Sequence, residues 1–195
     1  MQAALIVAAL LAAAPQNATD ALKARDQQLR AMLPPKGQEV SEAQKAKAQD
    51  ELAKFIDFRG IAEAALGKQW SKMAEPKRKE LLDAFTKRLR AASGGQLDFY
   101  RSTEIQYAPE EKQGERVKVP TTVEVKGEPT QVGYVMKDGK GGWLIEDIVI
   151  DDVSTVDTYK ASFAKVIAKD GVDGLIAKLK KEKGAKAEVA PAPKK

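Results

Sequence analysis

VKVPTTVEVKGEPTQVGYVMKDGKGGWLIEDIVI, residues 117–150, is where the hydrophobic period of this chain changes. Val117, Val119, Thr121, Val123 and Val125 alternate with Lys118, Pro120, Thr122, Glu124 and Lys126. That period of two belongs to a strand with one face buried and the other in water. Pro120 has no backbone N–H to donate, which suggests an edge or a bulge. Gln131 to Met136 and Trp143 to Ile150 read as two further strands, joined by the hairpin loop Lys137-Asp138-Gly139-Lys140-Gly141-Gly142. Thr103 to Tyr107 is a candidate fourth.

Upstream the period is helical. Asp20 to Leu33 puts Leu22, Leu29 and Leu33 on one stripe, and Pro34-Pro35 ends it. Ser41 with Gln44 reads as a capping box, opening a helix through Leu52 and Phe55 to Ile56. Asp57 can cap a third helix holding Ile61 and Ala65 and closed by Gly67. Pro76 suits the first turn of a fourth, with Leu81, Leu82, Phe85 and Leu89 at helical spacing and Gly94-Gly95 as the stop. Downstream of the strands, Ser154 with Asp157 caps a helix carrying Tyr159, Phe163 and Ile167 and ending at Gly171. A last amphipathic helix carries Val172, Leu175, Ile176 and Leu179. Helices, then an antiparallel run, then helices again is an α+β order, and a curved antiparallel sheet with helices on its concave face fits it best.

The chain has 195 residues, room for one domain with a real core. It contains neither cysteine nor histidine, so disulfides, thiol nucleophiles, histidine-based triads and structural zinc sites are excluded. A carboxylate site remains open. The net charge is +5, but Lys and Glu interleave along the helices, which reads as a solvated surface rather than a nucleic-acid face. Ala3 to Ala14, AALIVAALLAAA, is too short to span a membrane and has the length of the apolar core of a secretory signal. Cleavage is expected after Ala14 or Ala21, so residues 1–21 are taken as the signal, 22–183 as one folded domain, and 184–195 as a disordered Ala/Pro/Lys tail.

The order of signals from Phe55 onward has a known counterpart. FIDFRGIAEAALGKQW (55–70), a helix with Phe85, then Tyr100, and GWLIEDIVIDDVSTVDTYKASFAKVIAKDGVDGLIAKL (142–179) together resemble the MlaC family, the periplasmic phospholipid-binding proteins also called toluene-tolerance proteins. The most telling pieces are Phe58, Ala65-Leu66-Gly67 and Trp70, then Trp143, Asp147, Val153-Ser154, Tyr159, Phe163, Gly171 and Leu175. One departure is Asp152, where the family usually has Gly; Gly allows positive φ and Asp tolerates it only partly, so the structure must decide that turn.

The resemblance implies a nuclear-transport-factor-2-like α+β fold with an apolar cavity for the acyl tails of a glycerophospholipid, the headgroup staying near the mouth. It also implies a shuttle between an outer-membrane lipoprotein complex and an inner-membrane ABC transporter complex with an MCE-domain subunit. No cofactor or metal is expected beyond the lipid cargo, and no enzymatic step. Two acyl tails of roughly 30 methylenes in all face on the order of 20 kcal/mol in water, at about 0.8 kcal/mol each, so a carrier must cover nearly all of them. On this reading the lining is Val117, Val119, Val123, Val125, Val132, Tyr134, Trp143 and Ile145 from the strands. Phe55, Phe58, Leu66, Trp70, Phe85 and Leu89 from the helices would close it. Each of these side chains also fits plain core. Lys68, Lys72, Arg101, Lys137 and Lys140 are candidates to meet phosphate or an acidic partner. Asp147 reads either as the partner of a helix end or an arginine, or as a catalytic base with Tyr134 or Tyr107 as proton donor; the latter would make an isomerase or lyase of the same fold. A protein-binding adaptor using its basic tail is a third reading.

Overall fold

In the structure, a computed structural model describing residues 17–35, 37–93, 104–125 and 127–181, the alternating segment forms the long strand β3 (Arg116–Val125). It is joined by β1 (Ile105–Tyr107), β2 (Glu111–Gln113), β4 (Glu128–Gly139), β5 (Gly142–Ile150) and the two-residue β6 (Val153–Ser154). The order is β1-β3-β4-β5-β6, antiparallel throughout, with β2 also paired to β3. Pro120 lies between the stretches of β3 that pair with β1 and with β2, so its missing N–H falls in a gap of the ladder. Its carbonyl still accepts from Ala108 N at 2.9 Å.

Six helices lie among the described residues: α1 (Ala18–Met32), α2 (Glu42–Ala53), α3 (Phe58–Leu66), α4 (Lys68–Lys72), α5 (Glu75–Ser93) and α6 (Thr155–Lys181). Their starts follow the expected chemistry. Asn17 caps α1, the Ser41–Gln44 box is closed in both directions at α2, and Asp57 Oδ1 accepts from Gly60 N at 2.8 Å at α3. Ser154 Oγ accepts from Asp157 N at 3.0 Å at the start of α6. Gly171 interrupts α6 at φ 67, ψ −175, the expected boundary between two helical segments. Gly94-Gly95 and Tyr100, a piece of the family resemblance, fall outside the described residues, as do Arg101, the apolar segment 3–14 and the tail 184–195.

β4 runs from Glu128 to Gly139 and pairs there with Gly142, so the expected loop 137–142 shrinks to Lys140-Gly141. Two further differences concern α2 and β2. α2 stops at Ala53, three residues before Ile56. The chain there turns to cover the open edge of β5: Ile145 N donates to Phe55 O at 2.7 Å and Asp57 N donates to Ile145 O at 2.9 Å. An uncovered strand edge leaves backbone groups without partners, and this short parallel bridge supplies them. The second difference is β2, whose Glu-Lys-Gln sequence has no apolar member and carries no periodic signal.

The turn before Val153 is now defined. Asp151 (φ 44) and Asp152 (φ 65) are both in the left-handed region, and Ile150 pairs with Val153 across them. Two central residues at positive φ are what a tight type I′ hairpin requires. Asp151 is tied in, donating from its N to Gln131 O (3.0 Å) and accepting at Oδ1 from Gln131 N (3.1 Å). Asp152 therefore tolerates the conformation that glycine would adopt without strain. Asp152→Gly is expected to raise stability by about 0.5–1 kcal/mol in urea unfolding, and no gain, or a loss, would mean the turn is held some other way.

The helical layer has its own core. Leu81 and Phe85 of α5 pack with Ile61, Ala65, Leu66 and Trp70, and with Phe163, Leu175, Ile176 and Leu179 of α6. The Phe85 ring meets Tyr159 and Phe163 edge-on at 5.1 and 5.6 Å. At its rim Lys77 reaches Asp173 (2.7 Å) and Glu80 (3.1 Å), and Lys180 reaches Glu80 (2.8 Å), stapling α5 to α6. No helix among the described residues is long and apolar enough to cross a membrane.

Candidate functional site

The inner face of the sheet is built by strand parity. Val117, Val119, Thr121 and Val123 of β3 lie beside Val132, Tyr134 and Met136 of β4. On β5 the parity changes. Tyr134 pairs with Ile148 and Val135 with Asp147, but Met136 pairs with Ile145, leaving Glu146 as the extra residue of a bulge. A bulge moves every later side chain to the opposite face. Trp143 and Ile145 before it, and Ile148 and Ile150 after it, therefore all join the same apolar surface.

α1 covers this surface with its first half and α2 with its second. Ala18, Ala21 and Leu22 pack on the strands, whereas Leu29 and Leu33 pack with Val40, Ala48 and Leu52. Between these two patches the helix turns charged residues inward. Arg25 is 1% exposed and Asp26 3%. Arg25 Nη2 donates to Asp26 Oδ1 at 3.0 Å, and its guanidinium lies over the rings of Tyr134 (5.3 Å) and Phe55 (5.9 Å). The Tyr107 hydroxyl donates to the other oxygen, Asp26 Oδ2. Burial first, and then this bond, push the Tyr107 hydroxyl well above the usual tyrosine range, so it keeps its proton. The arrangement is charge-neutral as a unit and ties α1 to the edge strand β1. Thr121, also on this face, spends its hydroxyl on Val132 O at 2.7 Å.

Of the expected lining, Val117, Val119, Val123, Val132, Tyr134 and Ile145 are thus brought together, with Val125 and Trp143 packed against them. Phe55 reaches the same region through Arg25. Leu66, Trp70 and Phe85 sit instead in the separate core of the helical layer, with Leu89 packed against it, and Phe58 is half-buried at the start of α3. Met136, Ile148 and Ile150 were not among the expected residues. Their signal lies in WLIEDIVI: apolar residues at 143 and 145, then at 148 and 150, mark a change of parity at Glu146-Asp147. Arg25 and Asp26 were legible too, as charges three and four places after Leu22 on a stripe that resumes at Leu29.

Asp147 is committed to the start of α6. Its Oδ2 accepts from Ser154 Oγ (2.6 Å), and its Oδ1 accepts from Ile148 N (2.8 Å) and Val156 N (3.0 Å). This is the helix-end partner of the two readings, and an anion there also suits the helix dipole. Lys137 pairs with Glu115 at 3.0 Å. No cluster of three or more Asp or Glu able to hold a metal ion occurs among the described residues. On the opposite sheet face, a shallow groove of about 180 Å³ is lined by Lys118, Pro120, Gln131, Gly133 and Val149. That is below the roughly 300 Å³ at which small-molecule sites begin.

Comparison with known proteins agrees with this architecture. The family model for the MlaC protein matches residues 22–181. Among solved structures, the phospholipid-binding protein from Ralstonia solanacearum, determined in complex with a phospholipid, superposes with a TM-score of 0.69. It is 26% identical, and the match covers 83% of this chain and 91% of that one.

Proposed function

The chain belongs to the MlaC family, and from that premise we propose that it is a periplasmic carrier that moves glycerophospholipids between the outer and inner membranes, without a chemical step. The observation that carries this reading is the apolar face of β3–β5, in a fold shared with a protein solved around a phospholipid. Val125, Trp143, Ile148 and Ile150 are only partly buried on that face. Acyl tails laid along it would leave water at about 25 cal/mol per Å² of apolar area covered. Moving a tail from bilayer to protein exchanges one apolar medium for another, so loading and release are close to balanced and need no catalysis.

In this role the chain would receive lipid from, or deliver it to, an outer-membrane lipoprotein complex and an inner-membrane ABC transporter complex with an MCE-domain subunit, maintaining outer-membrane lipid asymmetry. Export fits the apolar segment 3–14. Cleavage after Ala14 is the version compatible with α1, since a cut after Ala21 would remove the Asn17 cap and the buried Ala18 and Ala21.

The test is to purify the full chain gently from a phospholipid-rich bacterial host and analyse extracted lipid and intact protein by mass spectrometry. About one glycerophospholipid per chain is expected. A lipid-free, folded protein from such a host overturns the carrier reading.

A further inference from the structure

One stretch of this chain departs from the interleaving of Lys and Glu. Residues 68–79, KQWSKMAEPKRK, hold five cations against the single carboxylate Glu75. Lys77 is neutralised by Asp173 and Glu80. Arg78 is spent internally, donating to Trp70 O at 2.9 Å and Ser71 O at 3.1 Å, with Glu75 at 3.5 Å. Lys68, Lys72 and Lys79 are exposed and have no ion-pair partner among the described residues. Arg59 joins them from α3: it is exposed, makes no ion pair, and its guanidinium lies 6.0 Å from the Trp70 ring, which Arg78 approaches from 5.8 Å. Glu63 and Asp83, one helical turn on from Arg59 and Lys79, do not pair with them.

Folding alone does not account for this cluster. Lys68 and Lys72 stand one turn apart on a five-residue helix, where like charges repel. Lys79 stands near the start of α5, the end at which the helix dipole disfavours cations, and unlike Lys77 and Arg78 it has no ion pair among the described residues.

We propose that Arg59, Lys68, Lys72 and Lys79 form a docking surface for a bilayer rich in anionic phospholipid. The patch offers charge without an apolar centre. Trp70 is only 5% exposed, and the exposed large apolar side chain among the described residues is Val153 (44%), at the β5–β6 turn. A specific protein interface is built around buried aromatic or aliphatic anchors. A charged membrane asks only for cations within about 10 Å of its surface. Docking this face requires no cargo, so it stands or falls separately from the carrier reading.

The experiment is flotation of the full chain with vesicles of pure phosphatidylcholine or of phosphatidylcholine with about one third phosphatidylglycerol, at low salt. The chain is expected to float with the anionic vesicles only and to be released by about 0.5 M salt. Each cation replaced should weaken binding about fivefold, and Arg59→Gln, Lys68→Gln, Lys72→Gln and Lys79→Gln together by several hundredfold. Circular dichroism checks that the variant is folded. A control neutralising Lys112, Lys140, Lys160 and Lys165 should bind nearly as the parent does. An equal loss in that control overturns the assignment in favour of overall charge. Retention of the parent on immobilised polyglutamate without any anionic-vesicle binding overturns it in favour of an acidic protein partner.

Discussion

Asp26→Ala is expected to destabilise the fold by about 3–5 kcal/mol, the largest effect of any single substitution considered, because it removes the carboxylate paired with the buried Arg25 guanidinium. Arg25 and Asp26 are almost wholly buried and stand midway along a helix whose first half is seated on the sheet. The pair is not a source of stability in itself; taking two charges out of water costs about as much as their attraction returns. The double replacement Arg25→Met with Asp26→Leu is therefore expected to lie within about 1–2 kcal/mol of the parent in urea unfolding. Should the double variant be as unstable as Asp26→Ala, the packing of α1 and not the carboxylate missing beside Arg25 is responsible. Alkali gives an independent check. The Tyr107 hydroxyl titrates higher in the folded chain than in the unfolded one. Its contribution is thus complete below the unfolded tyrosine value, near pH 10, and is lost as pH rises through the folded value. Tyr107→Phe should remove that alkaline limb of the stability curve and leave its shape at neutral pH unchanged.

Val132→Arg is expected to reduce co-purified phospholipid to below about one tenth of the parent's while circular dichroism shows the same fold. Val132 lies on β4 between Thr121 and Ile150, at 9% exposure and close to the partly buried end of the apolar face. A long cationic side chain there can extend its head toward water along Ile150. Its charge then lies across the path of any hydrocarbon tail, which offers it no partner. A variant that fails to fold identifies Val132 as closed core, and a folded variant still loaded with lipid shows that the tails run elsewhere; either result overturns this lining.

The strands and caps of this fold were readable because each had a local cause. β3 alternates because one of its faces is wet, and Ser41, Asp57 and Ser154 stand where free helix amides need an acceptor, whereas Asn17, the cap of α1, was not read. What escaped reading was set by distant parts of the chain. α2 ends early because β5, some ninety residues on, needs an edge partner. β2 exists because β3 offers it hydrogen bonds, with no hydrophobic pattern of its own. The candidate site divides in the same way. The strand members of the lining come together because they share one parity, and Ile148 and Ile150 join them only once the bulge at Glu146 is known. Leu66, Trp70 and Phe85 have the helical spacing of a buried face, but spacing does not say whether that face meets the sheet or other helices.

The inward charges of α1 also constrain the order of assembly. Asp26 finds Tyr107 81 positions later, and Thr19 finds Glu110 91 positions later. Translation therefore delivers this helix well ahead of the strands it sits on, and its berth does not exist until most of the remaining chain has emerged. Contacts of such long sequence separation are slow to form. Helix α1 must wait undocked beside a half-made scaffold, and the hinge of maturation for this protein is the moment that helix finally lands.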